Sequence, residues 1–314
     1  MKAIRIHDYG GPEVLSYEEA PEPRVGPDDV LVQVHAAGVN PMDTKMRGGL
    51  LRESIPRALP IVLGWDVAGV VVDRGRQVTR FGIGDEVYGR PDFTRDGCYA
   101  ERVAIRASEL AKKPGAIDDV HAAAVPLAGL TAWQVLFDAP HGFRGAGLRA
   151  GETVLIHAAA GGVGTFAVQL AKWKGARVVA TCSSEHIDYV RSLGADDVVD
   201  RARVSFDDVV RDVDVVADFA GGDMQRRSWR VVRKGGIVVS TVSPPSDEDA
   251  AGHGARAAYI QVQASALQLD ELAMLVDEGT LRVQLSHVLP LPAAREAHAL
   301  SERGHVHGKI VLKV

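Results

Sequence analysis

Thr153-Val154-Leu155-Ile156-His157-Ala158-Ala159-Ala160-Gly161-Gly162-Val163-Gly164 is the stretch that decides the fold. A short apolar run, 153–157, passes into small residues. These lead into 163–173, which is rich in Ala, Gln, Leu and Lys and reads as a helix. Small side chains let a backbone approach a pyrophosphate, and a helix N-terminus offers unpaired N–H groups with a partial positive charge. The stretch follows Ala-x-x-Gly-x-x-Gly loosely, bracketed by Ala159, Gly162 and Gly164. In a strand–turn–helix context it points to a dinucleotide phosphate site built by Ala159, Ala160, Gly161, Gly162, Val163 and Gly164. A tight turn with no ligand is the alternative.

On the C-terminal side, strand and helix patterns alternate. Strands are expected at 177–181, 197–199, 213–218 and 236–242, with a helix at 185–193. Valine-rich strands alternating with helices predict an α/β fold with a doubly wound parallel sheet covered on both faces. An NAD site usually carries an acidic residue at the end of the second strand, for the ribose 2′-OH. Here that strand runs into Ser183 and Ser184, which leave room for a 2′-phosphate, and Arg201 offers charge, so NADPH is expected. Glu185 stands against this, although it also reads as a first-turn carboxylate answering the helix dipole. Ala220 with Gly221, and Ser240 with Thr241 and Val242, end later strands, where ligands gather at the carboxyl edge. Residues 244–258, rich in Pro, Asp, Gly and Ala, read as a mobile loop. Beyond them come strands at 259–262, 283–289 and 309–313 and helices at 267–277 and 292–301.

On the N-terminal side the first 110 residues read as β-rich. Strands at 2–6, 29–35, 67–73 and 99–105 are separated by turn clusters, as in a small barrel or sandwich. The texture turns helical at 118–125 and 129–137. A length of 314 residues suggests two domains. The formal net charge of −5 argues against a protein built to coat nucleic acid or anionic lipid. Two cysteines, Cys98 and Cys182, make neither a disulfide framework nor a four-cysteine zinc site. The N-terminus lacks the apolar core of a signal peptide, and no run of about 18 apolar residues occurs, so a cytoplasmic protein is expected. Tyr-x-x-x-Lys, His-Glu-x-x-His, Gly-x-Ser-x-Gly and the P-loop pattern are absent from the sequence. His305 and His307, flanking Val306, read as solvated surface.

Seven segments, one of them within the stretch already quoted, occur in order across nearly the whole chain. They are Ala37-Gly38-Val39-Asn40-Pro41-Met42-Asp43, Leu63-Gly64-Trp65-Asp66-Val67-Ala68-Gly69-Val70, Gly84-Asp85-Glu86-Val87, Leu127-Ala128-Gly129-Leu130-Thr131-Ala132, 157–164, Ser192-Leu193-Gly194-Ala195-Asp196 and His307-Gly308-Lys309-Ile310-Val311-Leu312. In this order and spacing the chain resembles the medium-chain dehydrogenase/reductase superfamily, in its zinc-free, zeta-crystallin-like quinone oxidoreductase branch. The resemblance implies a GroES-like β domain over 1–122, a Rossmann domain over 123–262 and a tail, 263–314, returning to the first domain. It also implies a cofactor in the cleft between the domains.

The zinc branch carries a Cys near position 40, a Gly-His-Glu after the Leu-Pro stretch and a third ligand near 127. This chain has Asn40, Trp65 with Asp66, and Leu127 there, so no metal is expected. Without a Lewis acid, alcohol oxidation lacks a means to stabilise an alkoxide, whereas reduction of an electron-poor acceptor needs less help. The resemblance places Asn40 by the nicotinamide ribose, Thr131 near the nicotinamide and phosphates, and Asp43 at the family's acidic position. On local sequence alone Asn40 also reads as a turn residue, Asp43 as a helix cap and Thr131 as a satisfied helical hydroxyl. Lys45, Tyr88 and Tyr99 are weaker proton-donor candidates. The family often has a basic residue after the serine pair, where His186 stands nearby, and a tyrosine where Arg201 stands.

The expected activity is NADPH-dependent, zinc-independent reduction of quinones or α,β-unsaturated carbonyls by hydride transfer. An enoyl-thioester reductase, or a non-catalytic relative binding NADPH or RNA, is the alternative. Pairing through the strand at 259–262 predicts a homodimer.

Overall fold

The computed structural model describes residues 1–137, 145–304 and 306–314. His305 lies outside them. The chain forms two compact units, one of residues 1–127 with 264–314 and one of residues 128–263.

The first unit contains β1 (Lys2–Ile6), β2 (Ser16–Glu19), β3 (Asp29–Val39), α1 (Pro41–Arg47), β4 (Ile61–Val62), β5 (Val67–Arg74), β6 (Glu86–Gly89), β7 (Arg102–Arg106), β8 (Leu110–Lys112) and α2 (Asp119–Ala122). The long strand β3 alternates valines inward, with Val30, Val32 and Val34 all buried. It pairs antiparallel with β5 and β7. Its apolar face meets Trp65, Phe81 and Tyr99 in one core. Full burial of one such aliphatic or aromatic side chain contributes about 1.5–3 kcal/mol.

The helix α3 (Pro126–Leu136) leads into the second unit. There follow β9 (Thr153–Ile156), α4 (Gly162–Trp173), β10 (Arg177–Cys182), α5 (Ile187–Ser192), β11 (Asp197–Asp200), α6 (Phe206–Val209), β12 (Val213–Asp218), α7 (Gly222–Ser228), β13 (Val232–Ser240), α8 (Asp247–His253) and β14 (Arg256–Tyr259). The sheet order is β11-β10-β9-β12-β13-β14, with every pair parallel. Counted from β9 this is the 3-2-1-4-5-6 order of a Rossmann sheet. Its direction of winding reverses between β9 and β12, the switch point where such sheets bind ligands.

Two expectations are corrected here. Residues 244–258 are not an irregular loop, since they hold α8 and most of β14. Ser246 caps α8 by accepting from the Asp249 N–H, acidic residues fill its first turn, and Gly254 ends it in the left-handed region. The sixth strand therefore falls at Arg256–Tyr259, ahead of the predicted 259–262.

The chain then returns to the first unit as α9 (Ala266–Asp277), β15 (Leu285–Pro290), α10 (Ala294–Arg303) and β16 (Lys309–Lys313). β16 pairs antiparallel with β3, setting Ile310 opposite Val39. Among the described residues no helix is long and apolar enough to cross a membrane.

Candidate active site

In the second unit, Ala158 takes a positive φ of 52° to turn the chain out of β9, and Gly161 caps α4. Gly164 is required by packing. A Cβ on it would lie 2.3 Å from the Ala158 carbonyl oxygen and 2.7 Å from the Ala159 Cα. The Ala159 N–H donates to the Thr181 carbonyl, tying the turn to β10. The opening N–H groups of α4 lack intrahelical acceptors, so the turn presents donors and a positive dipole end to an anion.

The neighbouring strand ends supply side chains. Arg201 folds onto Ser183, its Nη2 donating to Oγ at 3.1 Å and its Nε at 3.3 Å. Ser184 is turned away, its hydroxyl donating to Asp200 at 2.7 Å, which helps hold the Asp200 carboxyl below its usual range. At the end of β12, Asp218 accepts from the N–H groups of Ala220 and Gly221 and from the Ser240 hydroxyl. Gly221 has a φ of +72°, and a Cβ on it would strike the Val242 side chain at 2.6 Å. The Thr241 N–H reaches the Asp218 carbonyl. Ala220, Gly221, Ser240, Thr241 and Val242 therefore lie together, organised by Asp218, a residue the sequence reading passed over. Its signal was an acid two residues before an Ala-Gly turn.

Immediately after β9, the buried His157 is held between the Thr181 and Ser228 hydroxyls. Burial lowers its pKa to about 4, keeping it neutral.

The first unit holds a different cluster. Pairing of β3 with β16 sets Lys309 beside Asn40, and pairing with β5 sets Asp66 beside Gly38. Gly38 leaves the room this needs, because a Cβ there would come within 2.7 Å of Asp66 Oδ2. Asp66 is fully buried. It accepts from the Asn40 side-chain amide at 2.8 Å, the Leu127 N–H at 2.6 Å and the Lys309 ammonium at 3.3 Å. Burial still pushes its carboxyl above the ordinary value against those donors. The Lys309 ammonium also donates to the Val39 carbonyl and to Asn40 Oδ1.

Asp43, also fully buried, accepts from the Asn40 N–H at 2.7 Å, as in a helix capping box, and from the Tyr99 hydroxyl at 2.9 Å. Its second oxygen has no hydrogen-bond partner. Burial raises its pKa to about 7, and the negative charge of Asp66 adds to the rise.

Asn40 and Asp43 are thus in direct contact, while Thr131 is buried on α3 in the second unit. Tyr88 is removed as a proton-donor candidate, because its hydroxyl is buried and spent on the Leu269 carbonyl. Lys45 is exposed.

Comparison with known proteins places the chain. The family model "alcohol dehydrogenase GroES-like domain" matches residues 26–115, and "zinc-binding dehydrogenase" matches residues 193–312. An NADPH-dependent alkenal/one oxidoreductase from Arabidopsis thaliana chloroplasts is 36% identical over 99% of this chain and 79% of its own length. The chain belongs to the quinone oxidoreductase branch of the medium-chain dehydrogenase/reductase superfamily. A Coxiella burnetii quinone oxidoreductase structure superimposes with a TM-score of 0.93 at 36% identity, covering 100% of this chain and 99% of that one. A mycobacterial structure complexed with NADPH gives a TM-score of 0.86 at 28% identity, with both chains fully covered.

The zinc in one model's description does not fit these residues. Asn40, Asp66 and Leu127 offer one amide oxygen, one carboxylate and one backbone donor, and the Lys309 ammonium already bonds both oxygens. A zinc site needs at least three electron-pair donors converging on open space. Among the described residues no group of three His, Cys, Asp or Glu side chains is placed to hold a metal ion.

Proposed function

We propose that this protein is an NADPH-dependent reductase of quinones or α,β-unsaturated carbonyls that works without zinc. The observation that carries the reading is the Lys309 ammonium lodged against Asn40 and Asp66, at the positions where the zinc branch has ligands. Alcohol oxidation there would lack its Lewis acid, which leaves acceptors that are already electron-poor. The names of the Arabidopsis and Coxiella relatives agree with that acceptor class.

The second unit fits the cofactor. The 159–164 turn and the α4 N-terminus would bind its pyrophosphate, and Ser183 with Arg201 its 2′-phosphate. Ala220, Gly221, Ser240, Thr241 and Val242 would line the carboxyl edge. Bound NADPH supplies the hydride. We assign Asn40, Asp43 and Thr131 to the nicotinamide and acceptor. Asn40 and Thr131 orient polar groups there. Asp43, with its carboxyl near neutrality and Tyr99 bonded to it, holds a proton for the product oxygen.

The test is loss of nicotinamide absorbance with NADPH and NADH against a naphthoquinone, an ortho-quinone, an aliphatic enone and an enoyl thioester. Turnover of a quinone or enone, favouring NADPH and unchanged by dialysis against a chelator, is expected. Activity lost to the chelator and restored by zinc would defeat the zinc-free reading. Tight NADPH binding with no turnover would move the protein to the non-catalytic alternative.

We also propose a homodimer and a cytoplasmic location. β14 is an edge strand of the second unit's sheet, with Tyr259 partly exposed, and an edge invites pairing. Both cysteines are buried and unpaired, as a reducing compartment allows. A monomer mass by light scattering, or recovery outside the cytosolic fraction, would reject these in turn.

A further inference from the structure

Lys309 is a charged residue with 4% of its surface exposed, on the first position of a strand whose next three residues are all buried. Burying a lone ammonium is costly, and such groups persist when fully paired. Each of its three N–H bonds has an acceptor, the Val39 carbonyl, Asn40 Oδ1 and Asp66 Oδ2. The same Asn40 amide donates through Nδ2 to Asp66. The carboxamide is therefore gripped at both ends. Its oxygen can only face a donor and its nitrogen only an acceptor, so a flipped amide would lose both bonds and set like groups together. The Asn40 backbone N–H is gripped in turn by Asp43.

We propose that Lys309 is a positioning residue of the active site: through its ammonium hydrogen bonds it locks the orientation of the Asn40 carboxamide and pairs with the buried Asp66 carboxylate. It touches no substrate in this scheme and acts through Asn40. The inference rests on the assignment of Asn40 to the nicotinamide made above. A fixed amide beside a reacting cofactor restricts the geometries it samples, and loss of such positioning slows the chemical step more than it weakens cofactor binding. Most of the affinity for the cofactor would come from the phosphate turn in the second unit.

Two variants separate positioning from simple support. Lys309→Arg keeps the charge, but its planar fork does not match three acceptors spread around a point charge. Lys309→Met with Asp66→Asn removes both charges together and leaves no unpaired ion. Each is expected to fold, to bind NADPH within about twofold of wild type, and to lose about 10-fold or more in kcat with the best quinone or enone. A kcat within about twofold of wild type in either variant, or a fall in NADPH affinity matching the fall in kcat, overturns the proposal. Failure of both variants to fold also overturns it, by making Lys309 a folding residue.

A second readout needs no turnover. In nitrogen-15 spectra the Asn40 side-chain NH2 pair, identified by its disappearance in Asn40→Asp, should exchange slowly in wild type and about 10-fold or more faster in both variants. Fast exchange in wild type overturns the locked amide. If wild type reduces no acceptor yet shows the protected pair, the functional reading fails and the locked geometry stands.

Discussion

The two units build their polar sites from opposite materials. In the second unit the turn at 159–164 is made of backbone, small residues and a helix end, and its charge is a dipole that no pH in the working range removes. In the first unit the cluster of Asn40, Asp43, Asp66, Tyr99 and Lys309 is made of side chains buried from water, with real charges held in check by one another. The backbone site tolerates no added bulk. The side-chain site depends on its charges staying paired and is sensitive to protons.

The largest expected effect on cofactor binding tests the first half of that contrast. Gly164→Val would drive a branched side chain into the Ala158 carbonyl and the Ala159 backbone. NADPH binding, followed by fluorescence titration, should weaken more than about 100-fold, roughly 2.7 kcal/mol. Affinity near wild type would show that the turn can open and that the backbone site is less rigid than drawn.

Asp66→Ala probes the other half. It leaves the Lys309 ammonium buried without its carboxylate, which costs about 3–5 kcal/mol of stability in a urea melt. NADPH affinity of the folded fraction should hardly change. A loss below about 1 kcal/mol would mean that water reaches the cluster.

Proton sensitivity is the third distinction. The Asp43 carboxyl is raised in the fold from 3.8 to about 7, so the native state binds this proton more tightly than the unfolded chain does. Its contribution is therefore complete below about pH 4 and is lost as pH rises to about 7, by up to about 4 kcal/mol. The stability difference between wild type and Asp43→Asn reports it together with any change at the coupled Asp66, while His157 and His298, both pushed down by burial, are common to both proteins. A difference that stays flat from pH 4 to 7 would place a lasting charge on Asp43.

The smallest effect concerns selectivity. Arg201→Ala should raise the KM for NADPH about 10-fold and leave that for NADH unchanged, if the exposed guanidinium held on Ser183 makes the charge-assisted contact proposed above for the 2′-phosphate. Equal changes for both cofactors would detach Arg201 from the 2′-phosphate.

The same contrast explains what the sequence made legible. The phosphate turn is contiguous, so twelve residues display strand, turn and helix together, and the alternation beyond them announces the parallel sheet. Asn40 and Asp43 were visible through the motif that holds them. Asp66 and Lys309 were not assigned to a site, because Lys309 bonds partners 243 and 269 positions away. Only the register of β3 with β16 and β5 brings them together. The one local hint was a lysine opening an apolar strand. At α8 the error was different. Its Ser246 cap, acidic first turn and terminal glycine were all present, but a composition poor in large apolar residues hid the helix.

The return of residues 264–314 also sets an order of assembly on the ribosome. Residues 128–263 emerge as one uninterrupted stretch and can close their sheet while synthesis continues. The first unit cannot. Its strand β3 must wait for β16, so Asn40 and Asp66 spend most of translation without the lysine that hydrogen-bonds the one and balances the other. A nascent chain is thus half a finished nucleotide-binding protein before its other half has been given a closed core. Chaperones that attend this protein should be needed for the part made first, which is completed last.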